Sequence, residues 1–159
     1  MSPAQLRLGA LRAEVERDWG EVRRQVARSS SVSAARGEPE AAFVALALDH
    51  AYQALEQIMV AIERALRLPA RAGENWHRAV LSDAARPLPG IRPAVVAPES
   101  ERDWGELLGF RHFLRHAYAA NLDPERLQKN VERLTRAVLA TEPFIAEALA
   151  VLEPADDGF

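Results

Sequence analysis

A chain of 159 residues with 48% apolar content and a net charge of −3 is sized for one domain with its own core. Its acidic balance excludes a general nucleic-acid coat while leaving a local basic site open. Cysteine is absent, which excludes a disulfide framework, a thiolate nucleophile and a cysteine metal centre.

No apolar run approaches the roughly 20 residues of a membrane span, and the first residues lack a basic stretch followed by an apolar one. A cytoplasmic protein without membrane attachment is therefore expected. Helical periodicity dominates the chain and no alternating strand pattern stands out, so the fold is expected to be all-α. Ser2 can cap a first helix with Pro3 at its first position, and Leu8, Leu11, Val15, Trp19, Val22 and Val26 then recur at threes and fours to an end near Ser29. Residues 29 to 37 are a small-residue connector. Glu38-Pro39 opens a second helix whose apolar face, from Phe43 through Leu55 and Ile58 to Leu66, is expected at the centre of a bundle.

Pro69 and Gly73 bracket a turn before a short helix over residues 74 to 85. Four prolines between 86 and 99 make that stretch an extended loop separating two helical halves. Ser100 followed by Asp103 resembles a capping arrangement for a helix that carries Trp104, Leu107, Phe110 and Leu114 and runs to near Asn121. Asp123-Pro124-Glu125 starts the last helix with a capping carboxylate, a proline at the first position and an acid in the first turn. Pro143 is expected to kink it, and residues 153 to 159 are expected to fray. The expected architecture is a single domain over residues 1 to 152, an antiparallel helical bundle of four long helices plus one short helix.

Chemistry concentrates in residues 110 to 118, Phe-Arg-His-Phe-Leu-Arg-His-Ala-Tyr. On a helix, Arg111, Arg115 and Tyr118 share one face, His112 and His116 form a neighbouring stripe, and Phe110 and Leu114 pack inward. Imidazole moves protons near neutral pH, and guanidinium holds phosphate and stabilises its more negative transition state. RNA brings its own nucleophile in the 2′-hydroxyl, so cleavage would need neither serine nor cysteine. His50, His77, His112 and His116 lack a carboxylate set at ligand spacing, so no metal and no cofactor are expected. The plainer alternative has Arg111 and Arg115 paired with acids of the last helix, such as Glu125 or Glu132, with both histidines solvated.

Arg111, His116 and Tyr118 together spell Arg-x4-His-x-Tyr, which resembles the motif of HepT-like toxins within the HEPN superfamily of ribonucleases. Trp76-His77 in the short helix also resembles a subgroup of that family. The resemblance implies a metal-independent endoribonuclease acting as a homodimer, in which Arg111 holds the scissile phosphate and His116 performs acid/base work. It also implies a nucleotidyltransferase antitoxin that silences the toxin by transferring AMP to Tyr118. His112 and Arg115 are supporting residues by proximity, and His77 is a further RNA-binding or partner-facing candidate whose plainer reading is a local hydrogen bond. The competing function is a non-catalytic helical subunit that serves the nucleotidyltransferase as partner or substrate. Two further features carry little: His50 reads as a polar position on a bundle helix, and the string Arg-Asp-Trp-Gly-Glu, found at both 17 to 21 and 102 to 106, reads as coincidence.

Overall fold

The computed structural model describes residues 1 to 117 and 121 to 152, and every described regular element is helical. Five α-helices follow one another: α1 (Pro3–Ser29), α2 (Glu38–Ala65), α3 (Trp76–Ala84), α4 (Glu101–Leu114) and α5 (Pro124–Val151). The fold is the expected helical bundle. The sequence signals for the starts of α1 and α5 hold in atomic detail. Ser2 and Gln5 form a reciprocal capping box, and the Asp123 carboxylate accepts from the Glu125 N–H at 3.1 Å.

Two of the expected boundaries were wrong. The short helix begins at Trp76, two residues later than its composition indicates. The larger difference is at α4, which stops at Leu114 and not near Asn121. Beyond Leu114 the chain tightens into a turn, with the His116 N–H bonded to the Phe113 carbonyl and the Ala117 N–H to Leu114. Across this junction Arg126, in the first turn of α5, lies over the Phe113 ring at 4.5 Å, so the end of α4 packs against the start of α5. Ser100 also does not cap α4 through its side chain. Its hydroxyl donates to the Ala97 carbonyl and meets the Thr141 hydroxyl at 3.1 Å. Helix α5 runs on through Pro143 to Val151.

Helix directions follow from which residues meet. The start of α1 (Leu8, Leu11), the end of α2 (Ile62, Leu66) and the end of α5 (Ala148, Val151) share one apolar hollow. Helix α1 is thus antiparallel to both α2 and α5. Asp103 meets Arg136, Trp104 meets Thr141 and Phe113 meets Arg126, so α4 is antiparallel to α5 as well. The central layer is α2, whose Val44, Leu48, Ala51, Leu55 and Ile58 are buried.

The proline-rich stretch is more than a spacer. Leu88 and Arg92 exchange backbone hydrogen bonds around Gly90, which has φ 76°, and the N–H groups of Val95 and Val96 both bond to the Ala84 carbonyl. Val95 and Val96 are thereby buried in the same core as the helices. At the end of α2, Arg67 takes the left-handed conformation (φ 57°) while Leu68 N–H reaches back to the Glu63 carbonyl. This is a helix stop that glycine would make with less strain.

Candidate functional site

Arg111 lies on the face of α4 turned toward α2, and its side chain is only 12% exposed. Its Nε is 3.1 Å from Asp49 Oδ1 and its Nη1 is 3.5 Å from Glu56 Oε1. The acids that meet it belong to α2; no contact with Glu125 or Glu132 joins it among the described residues, contrary to the plainer alternative. Both guanidinium nitrogens are buried, and neither N–H is aimed as a hydrogen bond. The pairing is electrostatic rather than directed.

Glu56 is the joint of this site. One oxygen faces Arg111, and the other lies 2.6 Å from His77 Nδ1 on α3. The Glu56 side chain is only 10% exposed, with a guanidinium on one side and an imidazole on the other. Trp76 stacks on the His77 ring at 3.7 Å between centroids and fixes its plane. Four helical positions far apart in sequence, Asp49, Glu56, His77 and Arg111, thus form one polar chain across α2, α3 and α4.

Tyr52 completes the buried wall. Its ring meets Trp104 edge-on at 6.4 Å, and its hydroxyl has no partner among the described residues. Burial, reinforced by the Glu56 charge, pushes the phenol far above its ordinary pKa, with Arg111 and Arg78 pulling weakly the other way. Arg78 crosses from α3 to the Gly105 carbonyl at 3.4 Å. A Cβ at position 105 would sit 3.0 Å from the Arg78 guanidinium, which is why the smallest residue suits that point of α4.

The other half of the motif behaves differently. His112, Arg115 and His116 are all exposed, and the two imidazoles meet edge to face at 5.4 Å. Helix α4 ends at Leu114 and His116 sits in the following turn, but Arg115 keeps helical backbone angles and its N–H still reaches the Arg111 carbonyl at 3.4 Å, so Arg115 follows Arg111 by one turn as His116 follows His112. The Arg111 side chain is largely covered, whereas Arg115 is exposed. No contact joins Arg111 to His116 among the described residues, and Tyr118 lies outside them, as do residues 153 to 159. The described residues contain no group of three side chains able to hold a metal ion. His50 is exposed on α2.

Sequence reasoning missed Asp49, Tyr52 and Glu56. A signal was present: at i, i+3 and i+7 they form a polar stripe on one face of an otherwise apolar helix. Beside the stripe, a cleft of about 530 Å³ opens between α1, α2 and α3, with Glu56, Trp76 and Arg111 in its wall.

The family model for HepT-like proteins matches residues 43 to 152, which include the whole polar chain and the motif. The chain belongs to the HepT-like family of the HEPN superfamily. No curated protein and no solved structure matches it. In this HepT-like protein the matched segment begins inside α2, so α1, which supplies one wall of the cleft, lies outside it.

Proposed function

We propose that the protein is a metal-independent endoribonuclease, the toxin of a toxin–antitoxin pair. The observation that carries this reading is the intact set Arg111, His116 and Tyr118 inside the segment that matches the family. Arg111 holds the scissile phosphate and stabilises its transition state, while His116 moves the proton between the 2′-hydroxyl and the leaving oxygen. His112, Arg115 and His77 support RNA binding.

A homodimer in which two α4 ends meet gives the exposed His116 of one chain an Arg111 neighbourhood it lacks within its own. The nucleotidyltransferase antitoxin silences the site by AMP transfer to Tyr118, which adds negative charge and bulk beside the groups that bind RNA. Purified protein is expected to cleave RNA in EDTA, and His116→Ala or Arg111→Ala to abolish cleavage while circular dichroism stays unchanged. Cleavage that survives both substitutions would sink the proposal.

One observation favours a second reading, a non-catalytic partner or substrate of the nucleotidyltransferase. The charge of Arg111 is already met by Asp49 and Glu56, so a phosphate would have to compete for it. Tight partner binding by an unmodified dimer that never cleaves RNA would establish that alternative, and mass spectrometry of Tyr118 after co-expression tests the AMP transfer common to both.

A further inference from the structure

The cleft of about 530 Å³ beside Glu56 is large enough for a nucleotide-sized ligand. Its charges cancel: Arg17, Arg64 and Arg111 face Glu14, Asp18 and Glu56. A groove balanced in this way is a poor trap for phosphate alone. What remains is chemistry suited to a flat, neutral, polar-edged group. Gln53 and Gln57, exposed and one turn apart on α2, offer amide donors and acceptors along one wall. Trp76 offers an aromatic surface: one ring face is covered by His77, and the side chain also borders two further hollows of about 270 and 370 Å³.

We propose that this cleft binds a single unpaired nucleobase of RNA, stacked on Trp76 and read at its edge by Gln53 and Gln57. This rests on the reading of the protein as an RNA-cleaving toxin and narrows its substrate to single strands, because a paired base has no free face to stack.

The chain reports on itself. Trp19 and Trp104 are 2% and 0% exposed, whereas Trp76 is half-buried and borders the cleft. Stacking of a base should therefore quench a solvent-facing tryptophan signal. Titration with nucleoside 5′-monophosphates and with a single-stranded 2′-deoxy oligonucleotide, which cannot be cleaved through a 2′-hydroxyl, is expected to give saturable quenching, and a blunt duplex none. No quenching, or equal quenching by the duplex, overturns the proposal.

By fluorescence anisotropy of the labelled oligonucleotide, Trp76→Ala should weaken binding about tenfold or more, with Trp76→Phe restoring most of it. Gln53→Ala with Gln57→Ala, on an exposed face, should weaken binding without unfolding the chain. Oligonucleotide affinity unchanged in all three variants also overturns it. The two ideas fail separately. Quenching without cleavage removes the ribonuclease and leaves the base site, and cleavage without quenching does the reverse.

Discussion

Where α5 packs on α1 and α4, the bundle buries its polar atoms in matched sets; where α4 packs on α2, it buries polar atoms that are not matched. On the α5 side the indole of Trp19 donates to Glu142, which also takes Arg23. Next to it Trp104 Nε1 donates to Thr141 Oγ1 at 3.2 Å, and Thr141 meets Ser100. The two copies of Arg-Asp-Trp-Gly-Glu place their tryptophans on adjacent residues of α5. On the α2 side Tyr52 Oη, Arg111 Nε and Arg111 Nη1 are all buried without a directed hydrogen bond. A buried polar atom without a partner, here Tyr52 Oη, costs roughly 1 to 3 kcal/mol, whereas the Arg111 nitrogens are met by the charges of Asp49 and Glu56 but by no directed bond. The difference teaches that the α5 side serves stability, while the α2 side carries a cost that a purely structural interface would have removed.

The sharpest way to break that contrast is to unmatch the α5 side. Thr141→Val, nearly isosteric, strands the buried Trp104 N–H and should cost about 2 kcal/mol, roughly 4 to 8 °C in Tm by calorimetry. A shift under a degree would show that the match contributes nothing. A smaller effect is expected from pH. Burial pushes Glu142 up, but the donors Arg23 and Trp19 outweigh this and hold it below its ordinary 4.5, and the Arg136 guanidinium does the same for Asp103. Folded-state values that lie below the unfolded ones confer stability that is full above about pH 4.5 and is lost as pH falls through the folded values. Glu142→Gln should therefore lower Tm at neutral pH and converge on the parent in acid; parallel curves would refute the pairing. The smallest effect is on the unmatched side, where Tyr52→Phe removes a hydroxyl that has no partner. Stability should hold or rise, within about 1 kcal/mol in urea melts. A clear loss would mean that the phenol is matched after all.

Much of the frame could be read from the chain because its signals are local. Ser2-Pro3 and Asp123-Pro124 cap their helices through atoms two or three residues away, and the apolar face of α2 is a periodicity within one element. The end of α4 carries no such signal. Residues 111 to 117 contain neither glycine nor proline, and the contact at that junction, Arg126 over Phe113, joins two different helices. The candidate site divides in the same way. Arg111 and the His112, Arg115 and His116 group are a contiguous string, but the carboxylates that hold Arg111 sit 55 and 62 positions upstream. Periodicity marks a polar stripe on α2 without saying which helix will face it. His77 entered as a secondary candidate and is joined to Arg111 only through Glu56.

The apolar hollow shared by Leu8, Ile62 and Val151 has a practical meaning for anyone handling the protein. It gathers the first turns of α1 and the last turn of α5 at one pole of the bundle, while the turn bearing His116 lies toward the other, beside the start of α5. Those poles are separated by the 28 residues of α5, roughly 40 Å of helix. A fluorophore, affinity handle or surface tether attached near Ser2 or Leu152 would stand clear of the His116 end, so immobilised or labelled protein should report on that end unobstructed.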